Sequence, residues 1–293
     1  MRRPLNLGAL ALALALFPNA ASAACDRECL RGLVTQYLNA MLLHSPGSLP
    51  LAEQVRYTED TMEMKLGESP LWKNASGIRP YRLDILDVRG GVAASEDIVE
   101  EGGAPVMLVL RLKVAGGKIS EVETQVTRNK TEGSIFNAAA LQSVSGAMIS
   151  FLDPSQRNAR EDAVKIAQLY PAGLKAGSFL TVDTPFAADA YRLENGQLMA
   201  GKGCTFRPDC VDIKSQKIPT LSGITTRVAA VDEDLGIVLL RMDFGAGSSR
   251  VAGDSLVVWE AFKVYGGRIH AVEAFMKNMP LGTPSGWDSP GGN

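Results

Sequence analysis

The sequence lacks the short motifs that mark several large enzyme classes. It contains no G-x-S-x-G elbow, no nucleotide-binding P-loop, no G-x-G-x-x-G fingerprint and no H-E-x-x-H zinc motif. Only two histidines occur in 293 residues, so a histidine-based metal centre would have few ligands. These absences argue against a serine hydrolase, a nucleoside triphosphatase, a dinucleotide-dependent enzyme and a zincin, and we expect neither a cofactor nor a metal ion.

The sequence also has little excess charge of either sign and few long apolar runs. The net charge of −2 gives no electrostatic reason to expect nucleic acid or an anionic membrane as a partner. The apolar run Leu7 to Phe17 is too short to span a bilayer comfortably. It follows Arg2 and Arg3 and precedes the A-x-A cleavage pattern at Ala21–Ala23. Residues 1–24 are therefore predicted to be a signal peptide, and the mature protein is predicted to be soluble and periplasmic or secreted.

Cysteine is rare, and the four cysteines occur as two close pairs. These are Cys25 with Cys29 and Cys204 with Cys210. An exported protein reaches an oxidising compartment, which favours two short-range disulfides. A zinc site is the alternative, but the spacings do not match the common metal-ligand patterns.

The predicted secondary structure occurs twice along the chain. Apolar residues at i, i+3 and i+4 spacing predict one helix from Asp26 and a second from Ala159. Each helix is followed by a strand, a loop and two hairpins. A chain of 293 residues can hold two domains. We predict a first unit at 25–128, a linker at 129–158 and a second unit at 159–288, related by an old duplication.

The last hairpin of each predicted unit turns at a pair of glycines. Gly266-Gly267 and Gly116-Gly117 suit a two-residue turn that needs φ > 0 at both positions. Uninterrupted pairing from Gly266-Gly267 places Glu260 opposite Glu273 on a face shared with Phe262 and Phe275. The first copy places Glu123 on one face with its leucines, at the position that matches Glu273, and has Leu110 where the second has Glu260.

Two facing glutamates on an apolar face would have unusual proton affinities. Like charges at opposite positions repel, so one carboxyl is expected to keep its proton. Such a pair supplies an acid and a base near neutral pH, and we predict Glu260 and Glu273 as catalytic residues. Glu194, which ends the first strand of the second unit, is a third catalytic candidate. The alternative is that these carboxylates lie near a rim and bind arginine or backbone groups.

Further residues are candidates for contact with a ligand. Glu59 occupies the position in the first unit that matches Glu194, and it could line the mouth of a pocket or cap a turn. Aromatic side chains could form walls for a ring-bearing ligand, or they could pack in the core. The predicted substrate-binding set is Glu59, Tyr57, Tyr191, Trp72, Phe262 and Phe275.

Several segments resemble a known group of proteins. The runs CDRECL, ENG and MPLGTPSGW, and a hydrophobic–Gly-Gly–Lys/Arg–Ile hairpin in each unit, resemble exported tandem members of the SnoaL-like branch of the nuclear-transport-factor-2-like superfamily. The resemblance implies an α+β fold of two tandem conical units, each with helices packed on a curved antiparallel sheet over a pocket. The superfamily includes ketosteroid isomerases, dehydratases, epoxide hydrolases, polyketide cyclases, lyases of lignin dimers and many non-enzymes. The Tyr-plus-Asp oxyanion pair of the isomerases has no matching positions here.

The sequence favours cofactor-independent acid–base chemistry. We predict an exported lyase, hydratase or isomerase that acts on a small apolar molecule of an aromatic, lignin-derived or polyketide-like kind. The alternative is a non-catalytic protein that binds small molecules or other proteins with the same pockets. A third interpretation makes the first unit a structural partner of the second. The expected partners are a small-molecule ligand and a second copy in a homodimer, and not nucleic acid or a membrane.

Overall fold

Two six-stranded sheets form the framework of the molecule. The computed structural model describes residues 25–221, 223–285 and 287. The predicted signal peptide lies outside the described residues.

In the first half, the described residues 25–127 form two α-helices, one 3₁₀ turn and six strands. Its elements are α1 (Arg27–Leu42), β1 (Leu51–Glu59), β2 (Met62–Glu63), α2 (Pro70–Asn74), β3 (Ala75–Asp87), β4 (Val92–Glu101), β5 (Ala104–Ala115) and β6 (Lys118–Thr127). The side chain of Asp26 begins α1 by accepting a hydrogen bond from the Cys29 N–H at 2.9 Å.

A connecting segment with short helical turns leads into the second half, which begins at Arg160. The connection carries α3 (Lys130–Gly133) and α4 (Gly146–Ile149). The second half consists of α5 (Arg160–Ala176), β7 (Phe186–Glu194), β8 (Gln197–Ala200), β9 (Thr225–Asp232), β10 (Ile237–Asp243), β11 (Asp254–Tyr265) and β12 (Arg268–Pro280). Gly177, in the left-handed conformation at φ 69°, ends α5.

The two sheets have the same strand order. The first runs β2-β1-β6-β5-β4-β3 and the second β8-β7-β12-β11-β10-β9. The repeated order of elements predicted from the sequence is therefore present. The predicted antiparallel character is wrong in one respect, because β1 pairs parallel to β6 and β7 pairs parallel to β12. These partners lie at opposite ends of each unit, and the intervening hairpins supply the long connection that parallel neighbours require.

Both faces of each sheet are buried. The inner face of the first sheet packs against α1 and α2, and that of the second packs against α5. The outer faces, which we call the back faces, pack against one another. Their shared cluster includes Tyr81, Ile85 and Val109 from the first half and Ile237, Leu239 and Trp259 from the second. Strands with two buried faces show little polar alternation, which explains the apolar runs in the sequence.

The final hairpin turns where the sequence predicts but pairs differently beyond the turn. Gly266 and Gly267 have φ of 54° and 75°, and Val264 pairs with Ile269 as expected. His270 is then an extra residue, a β-bulge, and Lys263 pairs with Ala271.

The bulge overturns the predicted pair of facing glutamates. Beyond it, Glu260 lies opposite Ala274, and Glu273 lies opposite Ala261. A shift of one residue moves every following side chain of β12 to the other face of the sheet. Glu260 therefore belongs to the inner face, whereas Glu273 and Phe275 belong to the back face. The prediction that these three residues share a face is wrong.

The first half has a bulge at the matching position. Val114 pairs with Ile119, Ser120 is the extra residue, and Glu123 lies opposite Arg111. Glu123 is therefore on the back face, and its predicted place beside the inner leucines is wrong. The conserved geometry of the two bulges makes the halves alike in detail as well as in strand order.

Candidate functional site

The second half encloses a cavity of about 290 Å³ between α5 and the inner face of its sheet. The volume is near the lower end of the ~300–1,000 Å³ typical of ligand pockets. Most of the wall is apolar and includes Leu174, Met199, Ile218, Phe244, Val258 and Met276. The loop after β8 and the loop between β10 and β11 form the mouth. A small, largely hydrophobic molecule fits these surroundings.

Glu260 is the most deeply buried carboxyl group in the lining. It projects from the middle of β11, and 3% of its surface is exposed. Burial and, to a smaller extent, the negative charge of Glu194 raise the pKa of Glu260 to about 8, against the opposing effects of Arg192 and the Tyr170 hydroxyl. At neutral pH this carboxyl group is therefore largely protonated and can donate a proton.

Arg192 and Glu194 form an ion pair on the same wall. They are two residues apart on β7, so strand alternation places both on one face. Arg192 Nε lies 2.8 Å from Glu194 Oε1. Arg192 also donates to the Tyr170 hydroxyl at 3.2 Å and to Gln216 Oε1 at 2.8 Å. These contacts hold the guanidinium in place and keep an anionic carboxylate close to Glu260.

The arrangement joins a neutral carboxyl group and a charged carboxylate in one apolar cavity. Glu260 can donate a proton, and Glu194 can accept one while Arg192 balances its charge. Proton donors and acceptors with different environments are the usual basis of acid–base catalysis without a metal. Among residues 25–221, 223–285 and 287, no group of His, Cys, Asp and Glu is placed to hold a metal ion.

The structure brings together two of the three predicted catalytic residues. Glu260 and Glu194 line the cavity, and the predicted ligand residue Phe262 is fully buried in the core, where its ring lies 5.1 Å from that of Tyr170. Glu273 lies on the opposite face of the sheet. The carboxyl group beside Glu260 in the cavity is therefore that of Glu194 and not, as the sequence predicted, that of Glu273.

Glu273 lies between the two halves of the chain. Its Oε1 accepts a hydrogen bond from the Tyr191 hydroxyl at 2.5 Å, and its Oε2 accepts one from the Tyr81 hydroxyl of the first half at 3.2 Å. Burial raises its pKa, while the bonds from Tyr191 and Tyr81 lower it. Glu96 of β4 is also fully buried there, and burial together with the charge of Glu273 raises its pKa. Phe275 stacks on Tyr81 with centroids 6.0 Å apart.

Tyr191 and Phe275 therefore project from the back face of the second sheet. The expectation that they wall the same pocket as Glu260 is wrong, because strand alternation directs them away from the inner face. Tyr191 is bonded to Glu273 and lies 2.6 Å from Ser145 Oγ, in the connecting segment. Phe275 thus joins the two halves through Tyr81, and Tyr191 joins the second half to the connecting segment.

The predicted ligand residues of the first half are buried and hydrogen-bonded within its core. The Tyr57 hydroxyl donates to Glu59 Oε2 at 3.1 Å, and Arg128 donates to Glu59 Oε1 at 3.0 Å. Trp72 is 1% exposed and donates from Nε1 to the Tyr37 hydroxyl at 2.8 Å. With Leu71, Trp72 fills the space between α1 and the sheet. This region therefore has the packing of a closed core.

Sequence reasoning missed Arg192, the cation of the site. Glu59 and Glu194 are at matching positions, so Arg192 matches Tyr57 rather than Tyr191. A charged residue two positions before Glu194 on an otherwise apolar strand face is the feature that could have identified it. No comparable sequence feature indicated Gln216, because it lies in an irregular loop.

Both predicted disulfides are present. Cys25 is bonded to Cys29, and Cys204 is bonded to Cys210. Two disulfides fit an oxidising, extracellular compartment. None of the described helices is long and apolar enough to cross a membrane. The second disulfide closes a loop whose residues Phe206 and Arg207 line the cavity.

Comparison with known proteins gives a partial family match. Residues 156–276 match the family described as "Domain of unknown function (DUF8021)". This segment includes most of the second half and the cavity residues Arg192, Glu194 and Glu260. No curated protein matches the chain.

Several solved structures are similar to part of the chain. A de novo designed protein with a curved β-sheet has a TM-score of 0.30 and 23% identity, and the match covers 35% of this chain and 88% of that one. A putative ketosteroid isomerase from Kribbella flavida DSM 17836 has a TM-score of 0.29 and 23% identity, and the match covers 36% of this chain and 84% of that one. An NTF2-like protein of unknown function from Cytophaga hutchinsonii ATCC 33406 has a TM-score of 0.28 and 12% identity, and the match covers 35% of this chain and 91% of that one.

Proposed function

We propose that the second half is a cofactor-independent acid–base catalyst for a small, largely apolar molecule. The observation that carries the proposal is the buried carboxyl group of Glu260 in the wall of a cavity, beside the Glu194–Arg192 ion pair. A buried carboxyl with a strongly shifted pKa in a concave site is the usual mark of a catalytic acid or base.

Each residue has a specific part in this proposal. Glu194 removes a proton from a carbon next to a carbonyl group, and Glu260 donates its proton to the carbonyl oxygen, which gives an enol. In a conjugated enol, Glu194 returns its proton to the γ-carbon while the enol oxygen returns its proton to Glu260, which completes an isomerisation. In an enol with an oxygen substituent on the β-carbon, that substituent leaves with the proton from Glu194 while the enol oxygen returns its proton to Glu260, which completes an elimination. Arg192 positions Glu194 and balances its charge. The exported lyase, hydratase and isomerase activities expected from the sequence all use these steps.

The first half serves as a structural partner in this proposal. Its residue Leu110 occupies the position of Glu260, since Leu110 pairs with Thr124 as Glu260 pairs with Ala274. We place the units at 25–128 and 159–288, with 129–158 as the connection.

Exchange of carbon-bound protons tests the proposal without knowledge of the substrate. The purified protein is incubated in D₂O with 1-tetralone, cyclohex-2-enone and acetophenone, and loss of the α-proton signal is followed by NMR. We expect the protein to accelerate exchange of at least one ketone, and Glu260→Gln and Glu194→Gln each to reduce that rate by about 10²-fold or more. Glu161→Gln, at an exposed site on α5, is the control and should keep the full rate.

Two outcomes would contradict the proposal. One is exchange that persists unchanged in both glutamine variants. The other is ligand binding in the cavity with no exchange of any ketone, which would favour the non-catalytic binding protein instead.

A further inference from the structure

Three arginines line the cavity at different depths. Arg192 is 6% exposed and lies beside Glu260, whereas Arg207 is half-buried in the disulfide loop and Arg250 is exposed in the loop between β10 and β11. The cavity thus has one guanidinium inside and two at its mouth. Apolar side chains, including Ile218 and Leu256, line the cavity together with these arginines.

The charges of these arginines are not equally balanced. Arg192 is paired with Glu194. Arg207 Nε lies 2.7 Å from Asp209 Oδ1. Within residues 25–221, 223–285 and 287, no acidic side chain forms an ion pair with Arg250. Among the described residues, Arg250 is therefore the lining arginine whose guanidinium is left without an ion pair.

We propose that the cavity takes a small amphipathic carboxylic acid. The apolar body of the ligand occupies the cavity, a carbonyl or hydroxyl oxygen reaches Glu260, and the carboxylate remains at the mouth on Arg250, with Arg207 beside it. A guanidinium binds a carboxylate through two parallel hydrogen bonds. One guanidinium balances the charge of one carboxylate, whereas a phosphate dianion would need a second cation. The inference rests on the proposed function for the choice of cavity and names the class of its substrate.

Matched pairs of ligands that differ only in this charge test the proposal. The probes are 3-phenylpropionate, cinnamate and 4-oxo-4-phenylbutanoate, each with its primary amide, and binding is measured by calorimetry. We expect at least one acid to bind about ten-fold more tightly than its amide in low salt. The preference should weaken in 0.5 M salt because the carboxylate lies at an exposed mouth.

Arginine variants locate the recognition of the carboxylate. Arg250→Gln should reduce the affinity for the acid to that for the amide. Arg207→Gln should reduce the affinity for the acid several-fold. Arg89→Gln is the control, since Arg89 is exposed and pairs with Glu233 away from the cavity. Equal affinity of acids and amides, an acid preference that persists in Arg250→Gln, or no binding of any acid would overturn the proposal.

One further variant separates this proposal from the catalytic one. Glu260→Gln should keep the acid preference, because Arg250 is intact. An acid preference in a protein that exchanges no carbon-bound protons would leave the ligand class standing and refute the catalytic function.

Discussion

Asp87 and Asp232 each accept a backbone hydrogen bond from the strand that the other one ends. Asp87 Oδ2 accepts from the Val231 N–H at 2.9 Å, and Asp232 Oδ2 accepts from the Leu86 N–H at 2.9 Å. The two aspartates end the matching strands β3 and β9. The bonds therefore join the halves of the chain through a nearly two-fold arrangement.

Each of these aspartates also binds the first arginine of a helix in the other half. Arg27 at the start of α1 donates to Asp232 at 2.7 Å, and Arg160 at the start of α5 donates to Asp87 Oδ1 at 2.9 Å. Asp232 is fully buried and also accepts from the Leu235 N–H. Removal of a buried acceptor that binds several donors lowers stability strongly, because each buried donor is left without a hydrogen bond.

Asp232→Ala should therefore lower the free energy of unfolding by about 3 kcal/mol. The substitution removes the acceptor of two backbone N–H groups and leaves Arg27 Nη1 with the more distant carboxylate of Asp234, at 3.6 Å. Urea denaturation followed by circular dichroism measures the loss. Asp234→Ala is the control, because Asp234 is half-exposed and its ion pairs should contribute less than about 1 kcal/mol. Equal stability of the two variants would contradict the role assigned to Asp232.

The raised pKa of Glu260 predicts a pH dependence of stability. Its pKa is about 8 in the folded protein, against about 4.3 for an unfolded glutamate. Between these values the folded state holds a proton that the unfolded state has released. The contribution of Glu260 to stability is complete below about pH 4.3 and is lost as pH rises to 8, with a slope of about 1.4 kcal/mol per pH unit.

Comparison of the wild type with Glu260→Gln isolates this contribution. Both proteins are unfolded in urea at intervals between pH 5 and 9, so that the other titrating groups cancel in the difference. We expect the stability of the wild type relative to the variant to fall through this range and to become constant above pH 8. A difference independent of pH would show that Glu260 titrates normally in the folded protein.

Glu273→Gln should leave proton exchange and ligand binding within about two-fold of the wild type. The side chain lies on the back face of the sheet, bonded to Tyr81 and Tyr191, and Gln retains its size and one of its two acceptor oxygens. The same exchange and calorimetric measurements check this. A loss of turnover as large as that in Glu260→Gln would instead support the catalytic role predicted for Glu273 from the sequence.

The two disulfides should differ in their effect on the cavity. Loss of either disulfide, each of which closes a short loop, should lower the free energy of unfolding by about 2 kcal/mol because the unfolded chain gains conformational entropy. Only the Cys204–Cys210 loop carries residues of the cavity mouth. We therefore expect Cys204→Ser/Cys210→Ser to weaken binding of the phenylalkanoate probes about ten-fold, and Cys25→Ser/Cys29→Ser to leave it unchanged. Equal loss of binding in both double variants would point to a general effect on folding.

Local features of the fold could be predicted because they depend on neighbouring residues. The spacing of the cysteines indicated both disulfides, and Gly266-Gly267 indicated the hairpin turn. The amphipathic spacing around Tyr170 indicated α5. Each of these depends on a few residues close together in the chain, so the sequence contains the information in readable form.

The bulges at Ser120 and His270 could not be predicted in this way. Neither Ser120 nor His270 has a positive φ, so neither bulge requires a glycine and neither side chain marks its position. Because the extra residue at His270 was not expected, the prediction assigned the following residues of β12 to the wrong faces. It therefore paired Glu260 with Glu273 instead of Ala274. The parallel pairing of β1 with β6 was missed for a similar reason, because it joins strands far apart in the sequence.

The packing of the two sheets back to back within one chain has a consequence for how the site could change. Two identical subunits in a symmetric pair must carry the same side chain at both equivalent positions. A single chain with two covalently joined halves is free of that restriction, and its association does not depend on protein concentration. Here one half carries Leu110 in a closed core, and the other carries Glu260 in a cavity. One half could thus acquire an open site and a buried acid while the other supplied the stability of a filled interior.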